Sequence, residues 1–117
     1  MDQKSRRKEL VEEYRRAGPD AGVYRIVNGQ NGMAFVGSAR NLGSVHGKMD
    51  FARKTGGFTA LDRKLHPAVR QFGIEAFSLE ILEVLEIRPE MSDAEIRADL
   101  TTLEELWRER YDPASLY

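Results

Sequence analysis

Gly22-Val23-Tyr24-Arg25-Ile26-Val27-Asn28-Gly29-Gln30-Asn31-Gly32-Met33-Ala34-Phe35-Val36-Gly37 is the stretch whose reading decides the fold. Two β-like runs, Val23 to Val27 and Met33 to Val36, flank the five residues Asn28 to Gly32. Asn and Gly tolerate positive φ, so the pattern predicts a β-hairpin with a five-residue loop. Strand alternation puts Tyr24 and Ile26 on one face and Val23 and Val27 on the other. Each arm carries an aromatic residue close to a glycine, Tyr24 after Gly22 and Phe35 before Gly37. A lone hairpin is marginally stable in water, so other elements must cover it.

Downstream, Ser38 to Ser44 reads as loop, and Val45 to Lys54 as a short helix with Met49 and Ala52 or Arg53 inward, weakened by Gly47 and by Gly56-Gly57. No Lys-Ser/Thr follows Gly56-Gly57, so it is no phosphate-cradling P-loop. Leu61, Leu65, Val69 and Phe72 recur at helical spacing, predicting a helix over Thr59 to Phe72 with Thr59 as N-cap and Gly73 as stop. Pro67 conflicts with that span and predicts a kink or a later start near His66. Phe77 to Glu86 alternates as a third strand. Ser92-Asp93-Ala94-Glu95 has capping-box spacing, opening a helix whose stripe is Ile96, Leu100, Leu103, Trp107 and Tyr111 and which Pro113 ends. Upstream, Lys4 to Arg16 reads as a helix with the stripe Leu10, Val11 and Tyr14. Its basic cluster Lys4, Arg6, Arg7 and Lys8 is either a solvated face or a phosphate-contacting arm. Gly18-Pro19 ends it.

These elements make one α/β domain, a small three-stranded sheet flanked by helices. The 117 residues are enough to bury a core without staples. The hydrophobic fraction is 41% and the charged fraction 32%, and there are no cysteines, which excludes disulfides, thiolate zinc sites and cysteine nucleophiles. His46 and His66 show no metal-ligand spacing and read as surface or loop residues. The charged start and the lack of any run of spanning length make a cytoplasmic protein, away from membranes, the expectation. Net charge is −1 and the pI about 6.1, so a nucleic-acid grip would rest on local patches.

Gly22-Val23-Tyr24, and then Phe35-Val36-Gly37-Ser38-Ala39-Arg40-Asn41-Leu42 with Phe35 eleven positions after Tyr24, resembles the paired motif of the GIY-YIG nuclease domain. Lys64-Leu65 ahead of the Gln71-Phe72-Gly73 stop, the run Phe77-Ser78-Leu79-Glu80-Ile81-Leu82-Glu83, and Leu103-Glu104-Glu105-Leu106-Trp107 fit the same pattern over residues 20–117. The resemblance implies an antiparallel three-stranded sheet flanked by helices, preceded here by an N-terminal helical extension over 1–17. It also implies metal-dependent hydrolysis of nucleic-acid phosphodiesters, with Mg²⁺ or Mn²⁺ as cofactor if the chain is active, and nucleic acid, in first place DNA, as partner.

Position by position, the resemblance makes Tyr24 the proton-handling or water-activating phenol and Glu104, three residues before Trp107, the metal-binding carboxylate. A strand tyrosine ordinarily only packs and a helix glutamate is ordinarily solvated, but helical geometry sets Glu104 beside the Leu100 and Trp107 stripe and Glu105 nearly opposite. Three family residues are absent. Phe35 stands at the second tyrosine, keeping the ring without the hydroxyl. Val45, eight positions after Gly37, stands at the arginine that would neutralise charge on phosphorus. The late asparagine has no match. Arg40, His46, Lys48 and Arg53 are the nearby candidates for binding nucleic acid in place of the lost arginine. The expected function is therefore that of a nuclease-type domain with weakened or lost catalysis. The alternatives are a working nuclease, and a non-catalytic nucleic-acid-binding or protein-interaction domain on the same scaffold, with a homodimer or protein partner supplying specificity.

Overall fold

The computed structural model describes residues 20–117, and the helix expected over Lys4 to Arg16, with its basic cluster, lies outside them. Strand β1 runs Ala21–Asn28, β2 Ala34–Ala39 and β3 Phe77–Leu85, in the order β2-β1-β3 with both pairings antiparallel. The hairpin strand carrying Tyr24 is thus central, and β2 is an edge. The turn between them is fixed locally. Asn28 Oδ1 accepts from the Gln30 amide at 2.9 Å, Asn31 Oδ1 accepts from the Met33 amide at 2.9 Å, and Gly32 takes a φ of +77°.

Two hydrophobic clusters cover the sheet. On the face of Ile26 and Phe35, the buried residues Met49, Leu61, Leu65, Ala68, Val69 and Phe77 pack together. Each large apolar side chain taken from water stabilises by about 1.5–3 kcal/mol. Ala21, Ile96 and Leu100 form the cluster on the opposite face, with Leu85, Ile87 and Met91 against them. Helix α1, Leu42–Thr55, and the shorter α2, His66–Phe72, supply the first face; α3, Asp93–Arg108, supplies the second.

Helix α1 begins three residues earlier than the Val45 the sequence suggests. Asn41 caps it through Oδ1, accepting from the Ser44 amide at 3.2 Å, so the expected loop over Ser38 to Ser44 shrinks to the Arg40-Asn41 corner. Gly47 does not break the helix, because Leu42, Val45, Met49 and Ala52 are all buried beneath it and tertiary packing overrides the local penalty. Gly56, with φ +78°, ends it. The helix expected from Thr59 is a correction. Residues Arg63–Leu65 form one 3₁₀ turn, capped by Asp62 accepting from the Lys64 amide at 2.9 Å, and α2 starts at His66. Pro67 thereby falls in the first turn, where its missing N–H costs nothing. The Ser92 cap is as expected, accepting from the Glu95 amide at 3.1 Å, but α3 ends at Arg108, ahead of Pro113.

Candidate phosphate-binding edge

Three consecutive residues of the edge strand β2 each adjoin one candidate side chain. The Val36 carbonyl accepts from Arg108 Nη2 at 3.0 Å. Ser38 Oγ donates to Glu104 Oε1 at 2.9 Å. Between them Gly37 pairs with Tyr24, and a Cβ on Gly37 would come within 2.8 Å of the phenol oxygen. Glycine permits that approach without displacing the ring. Strand alternation explains the division: Val36 and Ser38 face α3, and Gly37 faces the side of Tyr24 and Phe35. Tyr24 and the α3 side chains therefore flank Gly37 from the two faces of β2.

Gly22 does a related job at the other pairing. A Cβ there would lie 2.2 Å from the Glu83 carbonyl oxygen and 2.9 Å from the Leu42 side chain. Gly22 is thus a steric requirement of the hairpin, and Gly37 leaves room for the Tyr24 and Phe35 rings.

The last turns of α3 are fastened to both sheet edges. Trp107 Nε1 donates to Glu83 Oε1 on β3 at 2.8 Å, and the Arg110 guanidinium stacks on the indole at 4.1 Å from its centroid. On the β2 side Arg108 Nη2 also lies 3.2 Å from Glu104 Oε2. Glu104, expected from the sequence at the sheet-facing edge of the stripe, is half-buried there, with both carboxylate oxygens engaged. Arg108 is the residue that sequence reasoning missed. Its signal was present, since i,i+4 spacing places it beside Glu104 on the helix.

Burial pushes the Tyr24 phenol up to about 12, with the fields of Asp62 and Glu104 adding to the shift. At neutral pH Tyr24 is therefore a protonated donor, far from the pKa that suits a general base. Among the described residues its hydroxyl makes no hydrogen bond, and no buried polar side-chain atom goes unsatisfied, so this hydroxyl is reached by solvent. Phe35 lies 6.2 Å from it, ring centre to ring centre, and contributes packing alone.

Of the four candidate substitutes for the missing arginine, three lie on α1, away from the edge. His46 pairs with Asp50 at 3.3 Å, and Arg53 reaches Asp50 at 3.8 Å and donates to the Phe77 carbonyl at 3.0 Å, tying α1 to the start of β3. Lys48 is exposed on α1. Arg40 borders a cleft of about 470 Å³ between the end of β2 and α3, together with Ser38, Asp93, Arg97, Leu100 and Thr101. Only Arg40 therefore adjoins the edge, sharing the cleft with Ser38. Val45, where the family arginine would stand, is buried under α1 with 7% exposure.

A divalent ion does not fit the side chains as they stand. Among the described residues no three His, Asp or Glu side chains are placed to hold one. Mg²⁺ often uses one or two carboxylates plus waters and substrate phosphates. Here Glu104 already accepts from Ser38 and pairs with Arg108, so an ion on Oε2 would have to displace the guanidinium.

No protein-family model matches this chain, and no curated protein matches it. Solved structures do. The catalytic domain of the intron endonuclease I-TevI, in a variant with a glutamate replaced by alanine, superposes with a TM-score of 0.54 at 21% identity, covering 78% of this chain and 82% of that one. The structure of the catalytic domain of the homing endonuclease I-TevI superposes with a TM-score of 0.51 at 21% identity, covering 83% of this chain and 95% of that one. Residues 20–117 therefore carry the fold of the GIY-YIG nuclease domain that the paired hairpin motif resembles.

Proposed function

We propose that this chain is a nuclease-type domain that engages nucleic-acid phosphodiesters, in first place DNA, along the β2 edge, with hydrolysis weakened or lost. The observation that carries the reading is the gathering of Tyr24, Glu104 and Arg108 on Val36-Gly37-Ser38. A protonated phenol and a guanidinium are both donors suited to phosphate oxygens. Hydrolysis further needs a positioned water and stabilisation of charge growing on phosphorus. The phenylalanine at 35 removes one hydroxyl, the buried Val45 removes the family's cation, and a Tyr24 near pKa 12 is a poor proton acceptor. Loss of one charge-stabilising donor alone costs roughly 10²- to 10³-fold in rate.

Glu104 keeps the position of the metal-binding carboxylate that the resemblance implies. Were Mg²⁺ or Mn²⁺ to bind, it would supply charge neutralisation on the phosphate, at the expense of the Arg108 pair. Arg40, beside the cleft, extends the cationic surface past Ser38.

Supercoiled, linear and branched DNA incubated with the protein and Mg²⁺ or Mn²⁺, beside Glu104→Ala, tests the reading. The expected result is DNA binding that weakens steeply with salt and cleavage barely above that of the variant. Robust cleavage abolished by Glu104→Ala would make the chain a working nuclease. Absence of salt-dependent binding would remove nucleic acid as the ligand and leave a protein-interaction role.

A further inference from the structure

We infer that Arg108 is a built-in counter-cation for Glu104, and that the β2 edge therefore binds backbone phosphate without a divalent metal. The inference rests on the phosphodiester-binding reading above and adds how the site holds its anion. An uncompensated carboxylate at a phosphate site repels its own ligand. Glu104 is compensated from within the chain, by a guanidinium 3.2 Å from Oε2. The same Nη2 donates to the Val36 carbonyl at 3.0 Å, which fixes the guanidinium against the edge strand.

Both recorded contacts use Nη2. Nε and Nη1 of Arg108 make no contact among the described residues, and the side chain is 38% exposed. A guanidinium carries five N–H donors in a planar fork, and its paired donors match two oxygens of one phosphate. Arg108 is thus oriented by one nitrogen and presents the other two. The Tyr24 hydroxyl on the opposite side of Gly37 is a second uncommitted donor, held protonated by its burial. A phosphodiester lying along β2 meets the outward N–H donors of Arg108 and one phenol, at an edge where the Arg108–Glu104 pair is net neutral and the field of Asp62 also reaches the phenol.

The arrangement also explains why the loss of the α1 cation is tolerable. Val45 sits in the core, where an arginine would be desolvated, and the cation comes from the C-terminal end of α3. An arginine there is favoured twice, by Glu104 one turn before it and by the negative pole of the helix.

Fluorescence anisotropy of a labelled DNA duplex tests the inference, using the full chain in EDTA and in Mg²⁺ at 50 to 200 mM salt. Wild-type affinity is expected to agree within about twofold between EDTA and Mg²⁺. Arg108→Gln is expected to weaken binding in EDTA by about ten- to a hundredfold and to lower the salt slope by about one. Arg108→Lys should recover part of the affinity, since it returns the charge without the fork. Glu104→Gln, which removes the negative charge beside Arg108, should tighten DNA binding in EDTA. Binding that requires Mg²⁺, or an Arg108→Gln variant that folds and binds as wild type, would overturn the inference while leaving the phosphodiester reading intact. Absence of binding under every condition would overturn both. The wild-type comparison needs no variant, so a failure of Arg108→Gln to fold leaves the metal question decided.

Discussion

The hairpin and helix α1 treat the same resemblance in opposite ways. In the hairpin, Gly22 sits where a Cβ would strike backbone, and Gly37 lies beneath the tyrosine ring, which a Cβ there would have to move. In α1, the position of the expected arginine lies in the core, and Arg53 and His46 bond within the fold. Backbone-level requirements cannot be changed without losing the sheet. A cation at the surface of a helix can be relocated, provided another element delivers one to the same edge. That element is α3, through Arg108.

The largest effect that would test this contrast is at Gly22. Alanine there puts a methyl group on the Glu83 carbonyl, whose strand cannot retreat without unpairing from β1. Gly22→Ala is expected to cost about 4 kcal/mol or more, or to abolish the thermal unfolding transition followed by circular dichroism. A variant melting near wild type would show that the β1–β3 pairing is looser than described.

Val45→Arg comes next and asks whether the family arginine can be restored. Burying the guanidinium beneath α1 is expected to destabilise by about 2 kcal/mol or more, because snorkelling recovers only part of the desolvation cost. No gain in cleavage should accompany it. An unchanged melting temperature with new Mg²⁺-dependent cleavage would restore α1 as the site's natural source of cation.

Tyr24 gives a pH signature. Its folded-state pKa of about 12 lies above the usual 10.0, so between these values the folded chain keeps a proton that the unfolded chain has released. The stability associated with this group is full below about pH 10 and falls as pH rises through about 12. Titration followed at 295 nm should show a late tyrosine step that Tyr24→Phe removes. If all the tyrosines released their protons near pH 10, the phenol would not be held as described.

Arg53→Ala should have the smallest effect. It removes one hydrogen bond to the Phe77 carbonyl and a weak contact with Asp50, at a cost of about 1 kcal/mol. DNA affinity should stay within about twofold, in contrast to Arg108→Gln. A tenfold loss would put Arg53 back among the phosphate contacts.

How much of this was legible in the sequence follows from what each feature depends on. The hairpin, the third strand and the Ser92 cap depend on neighbours within a few residues, and local pattern reveals them. Glu104 was named by the resemblance, three residues before Trp107, and helical geometry supported its place beside Leu100 and Trp107. Arg108 stands on the same helix, but its role depends on the carbonyl of Val36, 72 positions away, which no periodicity predicts. Asp62 escaped for a different reason. The apolar spacing of Leu61, Leu65 and Val69 suits a helix, and that reading hid a capping aspartate in a supposed helix interior. Pro67 was the correct warning. Finally, the resemblance revealed that the α1 arginine was missing, but which element makes good the loss is a matter of tertiary packing.

The most direct test of the central claim is a backbone amide NMR titration of the chain with a short DNA duplex in EDTA. The account predicts the largest shifts at Val36, Gly37, Ser38, Glu104 and Arg108, with Lys48 and Arg53 on α1 nearly unmoved. Maximal shifts along α1, with the β2 edge silent, would contradict it.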